Sequence, residues 1–269
     1  MSLQRLFRPR KRVVFADYGY KVREFDLPDD GLIEYAQWQH PYDVPKLITQ
    51  PAVDAIRQFV SPGDFVIDIG AHSGDTSVPM AIAAGQGGCT LALEPNPYVF
   101  KVLAANAALN RDKTNIVPRC CAATQTDGDF VFHYSDAGFC NGGFRSQQRW
   151  RFYRRKHALT IEGRNLLVML QADFADWLPK LTYIKVDAEG YDRAILESIL
   201  PIIRERRPVI RTEVYRKLLA RERHELFDLL AGVDYSIHRF HDEARPLGEE
   251  LKRSDMTREK HFDVLAIPA

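Results

Sequence analysis

Four strings hold the residue types able to do chemistry. The first is Asp68-Ile69-Gly70-Ala71-His72-Ser73-Gly74-Asp75-Thr76, which follows a short apolar run and precedes a helical stretch. Gly70 and Gly74 would let the backbone turn tightly and approach a ligand, and the helix start beyond them offers free N–H groups. The string lacks both the full Gly-x-Gly-x-x-Gly of a dinucleotide site and the Gly-Lys-Ser/Thr of a phosphate loop. Taken alone, it reads equally as a plain strand-to-helix turn.

The second string, Leu91-Ala92-Leu93-Glu94-Pro95-Asn96-Pro97, puts an acid at the end of the next apolar run. A carboxylate in that position, roughly 20 residues past a glycine turn, suits two ribose hydroxyls. An adenosine held without a pyrophosphate cradle points to S-adenosyl-L-methionine rather than NAD. The expected cofactor contacts are therefore Asp68, Gly70, His72, Ser73, Gly74, Thr76, Glu94, Pro95 and Asn96. Asn96-Pro97-Tyr98 also looks like part of an adenine amino-methylating signature, but it follows the wrong strand for that chemistry.

The third string is Tyr183-Ile184-Lys185-Val186-Asp187-Ala188-Glu189-Gly190-Tyr191-Asp192, and the fourth is Val209-Ile210-Arg211-Thr212-Glu213-Val214. Lys185, Asp187 and Glu189 share the period-two face of one strand, as Arg211 and Glu213 do on the other. Charges converging at two neighbouring strand ends can poise a base. Lys185, Asp187, Glu189 and Glu213 are the catalytic candidates, with Asp187 preferred as the base. Asp187 with Glu213 could instead bind Mg²⁺, since oxygen ligands suit that ion. The bland alternative is a structural ion-pair network, Lys185 with Glu213 or Asp187 with Arg211. Of the histidines, only His72 sits inside a motif.

Short apolar strands positioning these residues are expected at Phe65–Ile69, Leu91–Leu93, Ile116–Val117, Tyr183–Asp187, Val209–Val214, Tyr235–His238 and Phe262–Ile267. Helical spacing marks Val53 to Val60, Val99 to Leu109, Ile195 to Ile203 and Leu218 to Leu230. Strands alternating with helices argue for a mostly parallel sheet covered on both faces, with the ligand site beyond the strands' carboxyl ends. Residues 1–50 read as an N-terminal extension and 51–269 as the catalytic domain. Residues 134–165 break the alternation as an insertion expected to shape the acceptor site.

The composition narrows the function classes. Lys plus Arg number 37 and Asp plus Glu 36, so a generic polyanion binder is excluded and no nucleic-acid partner is expected. No apolar run reaches the roughly 20 residues that span a bilayer, and the basic start lacks a signal peptide's apolar stretch. Cys89, Cys120, Cys121 and Cys140 form no Cys-x-x-Cys pair, which suits free thiols in a cytoplasmic protein. The run 145–157 holds six Lys or Arg with Trp150, Phe152 and Tyr153 between them. Such a run could grip a phosphate-bearing glycan or nucleic acid, or be a solvated loop.

Asp68–Asp75, Glu94-Pro95-Asn96-Pro97, Asn106-Ala107-Ala108-Leu109-Asn110, Ile184–Asp192 and Arg211–Val214 together resemble the FkbM-type S-adenosylmethionine-dependent methyltransferases. The resemblance runs from about Gln50 to the C-terminus; His72, Asp192 and the insertion depart from the family pattern. It implies a class I methyltransferase fold, Rossmann-like, with a seven-stranded mostly parallel sheet whose last strand is antiparallel. It also implies O-methylation of a hydroxyl on a sugar, glycan or polyketide-like small molecule. The expectation is thus a cytoplasmic O-methyltransferase with a small-molecule acceptor, compatible with a homo-oligomer. The rival is a non-catalytic, cofactor-dependent binding module using the basic run 145–157 on a polyanion.

Overall fold

The computed structural model describes residues 15–140, 142–143 and 157–269. An antiparallel hairpin of β1 (Tyr20–Leu27) and β2 (Gly31–Trp38) leads into helix α1 (Gln50–Ile56). Then come β3 (Phe65–Ile69), α2 (Ser77–Ala84), β4 (Cys89–Leu93), α3 (Pro97–Ala108) and β5 (Ile116–Arg119). A separate four-stranded sheet follows, built from β6 (Ala122–Thr124), β7 (Gly128–Tyr134), β8 (Gly142–Gly143) and β9 (His157–Asn165), and then α4 (Leu166–Asp173). The chain ends with β10 (Leu181–Val186), α5 (Asp192–Ser198), α6 (Leu200–Arg206), β11 (Val209–Val214), α7 (Ala220–Ala231), β12 (Tyr235–Phe240), β13 (Leu247–Glu250) and β14 (Phe262–Pro268).

The large sheet has the order β13-β12-β14-β11-β10-β3-β4-β5. β3, β4, β5, β10 and β11 are parallel, and β14 is antiparallel to both of its neighbours, β11 and β12. The seven expected strands are all present, the last one antiparallel, and β13 adds an eighth at the edge. β3 and β4 are buried at every residue because helices cover both faces, which is why they are mostly apolar, Asp68 and Thr90 being their polar residues. From β3 the sheet grows one way through β4 and β5 and the other way through β10 and β11. The crevice of such a sheet lies at that reversal, outside the carboxyl ends of β3 and β10.

Three elements differ from the sequence expectation. The long amphipathic helix from Ile195 is two helices, because Pro201 has no N–H to continue the ladder. The departure from strand–helix alternation begins at Ala122 rather than at residue 134, with β7 placing Phe130, Phe132 and Tyr134 on one face. The N-terminal region contains a hairpin that no amphipathic pattern announces, since β1 is exposed along most of its length.

What holds that hairpin comes from α3. The Asn106 amide accepts from Ala36 N at 2.6 Å and donates to Ala36 O at 3.1 Å and Ser73 O at 2.7 Å. One turn on, Asn110 makes the same pair with Glu34, at 2.9 and 2.8 Å. Two side-chain amides thus stand in for a third strand beside β2, and Asn106 also reaches the glycine turn. Tyr35 shares a 2.8 Å hydrogen bond with Ser73 Oγ in the same seam. Asn106→Ala would strand three buried backbone groups. The expected loss is about 3 kcal/mol of unfolding free energy, read as a lower urea midpoint. An unshifted midpoint would show that this seam does not stabilise the fold.

Among the described residues, no helix is long and apolar enough to cross a membrane.

Candidate active site

The ends of β3, β4 and β10 open on a cleft of about 420 Å³. After β3 the backbone turns back at Gly70, φ +78°, and both Gly70 N and Ala71 N donate to Leu93 O at 3.0 Å. A Cβ on Gly70 would lie 2.0 Å from Asp187 O, so only glycine lets the turn pass under the end of β10. Lys185 locks the same crossing. Its ammonium sits 3.2 Å from Asp68 Oδ1, donates to Gly70 O at 3.1 Å and lies 3.8 Å from Asp187 Oδ2. Burial alone would lower the Lys185 pKa, but the Asp68 and Asp187 carboxylates hold it above the ordinary lysine range.

Asp68 is fully buried and does not line the cleft. Its Oδ2 accepts from Thr76 Oγ1 at 2.7 Å and Ser77 Oγ at 2.6 Å, anchoring the first turn of α2. Ser73 and Gly74 also face away, Ser73 toward Tyr35 and Gly74 toward Leu103. These three expected cofactor contacts do not line the cleft; they shape the turn from behind. Gly70, His72, Thr76, Glu94, Pro95 and Asn96 do line the cleft.

Glu94 is buried, and each carboxylate oxygen already accepts a backbone N–H, from His72 at 2.9 Å and from Asn96 at 2.8 Å. Burial outweighs those two bonds and pushes its pKa up to about 7. Each oxygen keeps a second lone-pair direction for a ligand hydroxyl. Asn96 caps α3 through Tyr98 N at 3.0 Å and holds Phe139 O at 2.6 Å. The His72 pKa is pushed down to about 4 by burial, so its imidazole is neutral at physiological pH.

On the opposite wall, Asp187 leaves about half of its side chain exposed (49%), while Glu189 turns at φ +53°. Both line the cleft. Behind them Asp192 accepts from Gly190 N at 3.0 Å, Ala188 N at 3.3 Å and Thr212 Oγ1 at 3.3 Å, which fixes the loop. Burial, with Asp187 adding to it, raises the Asp192 pKa to about 7. Glu213, also expected at the site, does not line the cleft. It is buried off the cleft, 3.3 Å from His261, with a pKa pushed to about 9 by burial and by Asp187, Asp192 and Glu189. A carboxyl held neutral at pH 7 is poorly placed to act as a base. Among the described residues no group of three or more His, Cys, Asp or Glu could hold a metal ion.

The expected ion-pair alternatives are also re-partnered. Lys185 pairs with Asp68, not Glu213, because β3 is its neighbour on that side. Arg211 bonds Asp263 at 2.9 Å and Glu243 at 2.9 Å instead of Asp187, and stacks 3.7 Å from the Phe240 ring centroid.

Sequence reasoning missed a third wall. Tyr42, Asp43 and Lys46, from the segment after β2, line the cleft with Asp75. Lys46 Nζ lies 3.0 Å from Asp75 Oδ2, and Gln37 ties the segment down by donating to Asp43 Oδ2 at 2.9 Å and accepting from Lys46 N at 2.6 Å. Burial pushes the Asp43 pKa up to about 6, against the pull of Lys46. Nothing in the spacing of residues 41–47 signals this wall. By contrast, Cys121 to Thr124 line the cleft just past β5, where the carboxyl-end rule points. The basic run 145–157 lies outside the described residues except for His157.

A family model described as the methyltransferase FkbM domain matches residues 68–252. Among solved structures, methyltransferase FkbM from Methylobacillus flagellatus KT is 16% identical with a TM-score of 0.45, the match covering 78% of this chain. This chain spans 44% of that protein's length. A SAM-dependent O-methyltransferase from Thermotoga maritima is 12% identical with a TM-score of 0.43, over 93% of this chain and 78% of the other. An O-methyltransferase from Bacillus cereus in complex with SAH is 13% identical with a TM-score of 0.43, over 81% and 78%. A comparison with curated proteins gives no match.

Proposed function

Because the chain belongs to the FkbM family of S-adenosylmethionine-dependent methyltransferases, we propose that it methylates a hydroxyl of a sugar, glycan or polyketide-like small molecule. The observation that carries this reading is the crossing of the glycine turn and the end of β10. There Gly70, with Asp187 O where its Cβ would be, and the Lys185 bridge join a cofactor cradle to an open carboxylate. The residues fit the cofactor. The cleft volume, about 420 Å³, is in the usual range for a ligand site. Glu94 and Asn96 stand where ribose hydroxyls would be held.

When bound, S-adenosylmethionine supplies an electrophilic sulfonium methyl group. The chain's task is alignment and proton removal. Asp187, projecting into the cleft, accepts the acceptor's hydroxyl proton at a carboxylate oxygen. Lys185 is a permanent cation beside it, so it orients the base instead of acting as one. Glu189 borders the same space. In this reading residues 51–269 form the methyltransferase domain, and the 1–50 extension with the 134–165 insertion shapes the acceptor side. A cytoplasmic setting belongs to the same proposal, supported by four free cysteines.

Incubation with radiolabelled S-adenosylmethionine and a panel of hydroxylated acceptors tests the activity. Glu94→Ala tests the cofactor assignment. It should weaken S-adenosylmethionine binding by about 1–3 kcal/mol, the usual loss for charged hydrogen bonds. Equal calorimetric affinity in variant and parent would remove Glu94 from the cofactor site.

A further inference from the structure

The cleft carries an uneven charge pattern. Six carboxylates line the cleft, those of Asp43, Asp75, Glu94, Asp187, Glu189 and Glu243, against three cations, Lys46, Lys185 and Arg211. Each of those cations is already engaged. Lys46 is held by Asp75 at 3.0 Å, Lys185 by Asp68 at 3.2 Å, and Arg211 by Asp263 and Glu243 at 2.9 Å. His72 adds no charge at neutral pH, since burial pushes its pKa down to about 4.

Four carboxylates on the cleft have no cationic partner within 3.5 Å among the described residues: Asp43, Glu189, Glu94, which accepts two backbone N–H groups, and Asp187, whose nearest cation is Lys185 at 3.8 Å. Asp43 is fixed by the Gln37 amide at 2.9 Å, a neutral donor that orients the carboxylate without cancelling its charge. The same glutamine holds the Lys46 backbone, so Asp43 and the Lys46–Asp75 pair belong to one hydrogen-bonded wall.

We propose that Asp43 is a specificity-determining residue, and that with Asp187 it selects an uncharged polyol and rejects carboxylated or phosphorylated acceptors. The proposal rests on the methyltransferase reading and narrows its acceptor. Hydroxyls are donors that carboxylates can accept from, and adjacent hydroxyls can meet two carboxylate oxygens at once. An anionic acceptor brings a like charge toward Asp43 and Asp187, and the neighbouring cations are already paired. Such juxtaposition is a common way of rejecting wrong partners.

The test compares acceptors that differ only in charge. Methyl glucopyranoside, methyl mannopyranoside and methyl fucopyranoside form the neutral set. The methyl glucuronide and the 6-phosphate of methyl glucopyranoside form the anionic set. With the full chain at low salt, kcat/KM should favour the neutral parents by about tenfold or more, and added salt should narrow the gap by screening. Asp43→Asn keeps the shape and the Gln37 contact while removing the charge. It should shrink the neutral-to-anionic ratio by several-fold and leave calorimetric S-adenosylmethionine affinity unchanged. A salt response in the parent protein tests the idea without any variant.

Anionic acceptors used as well as their neutral parents would overturn the proposal, as would a ratio that Asp43→Asn does not move. S-adenosylmethionine binding with no transfer to any neutral polyol would overturn it too, while leaving the cofactor reading intact. Failure to bind S-adenosylmethionine at all would overturn the methyltransferase reading itself, and the two failures are therefore distinct.

Discussion

Gly70→Ala is expected to abolish S-adenosylmethionine binding and to cost about 2–5 kcal/mol of stability through backbone strain and overpacking. At φ +78° an alanine is strained before any contact is considered. Its Cβ would then lie 2.0 Å from Asp187 O and 3.0 Å from Asp187 C, both backbone atoms. They cannot retreat cheaply, because Asp187 N is bonded to Ile69 O at 3.0 Å and Lys185 holds Gly70 O at 3.1 Å. Relief has to come from parting the glycine turn and the end of β10, the two pieces that frame the cofactor. Gly74→Ala is the control. Its φ, +93°, is equally unfavourable, but its Cβ would meet a Leu103 methyl at 3.1 Å, which a side-chain rotation can yield. Calorimetric titration and urea midpoints for both variants decide the matter. Normal cofactor affinity in Gly70→Ala would mean the turn does not frame the site.

How much of this was legible in the sequence depended on whether a residue's neighbours lie nearby along the chain. β3, β4, β10 and β11 announce themselves because strands buried on both faces are rich in apolar residues, and their ends place Glu94 and Asp187 by rule. The partners of buried charges were not legible. Lys185 could have met Glu213, but strand order put β3 beside it, and so Asp68 is its counter-ion. The burial that gives Glu213 a neutral carboxyl depends on β14 crossing next to β11, a contact between residues far apart in sequence. The hairpin is a different case. An Asp30-Gly31 turn was present, with Gly31 at φ +70°, the residue pair that hairpins favour. β2 is secured by the Asn106 and Asn110 amides as well as by apolar burial, and those amide partners lie far along the chain. With the hairpin unseen, Asp43 and Lys46 had no place to stand.

Asp187→Asn is expected to lower kcat by roughly 100-fold or more, the scale of losing a general base, while S-adenosylmethionine affinity changes little. The substitution is nearly isosteric, and about half of the side chain is exposed (49%), so the fold should tolerate it. Lys185 would be a poor probe of the same chemistry, since removing it leaves Asp68 buried and charged without its counter-ion. Glu213 would be poor as well, since its carboxyl is already neutral and off the cleft. Asp187 alone on this wall combines an open carboxylate with a fixed cation, Lys185 Nζ at 3.8 Å. A role confined to ion pairing would instead lower the urea midpoint and leave kcat and its pH profile near those of the parent. Near-parent turnover by a folded Asp187→Asn protein on an acceptor the parent methylates would take the base assignment away from Asp187. Glu189, which borders the same space, would be the next residue to test.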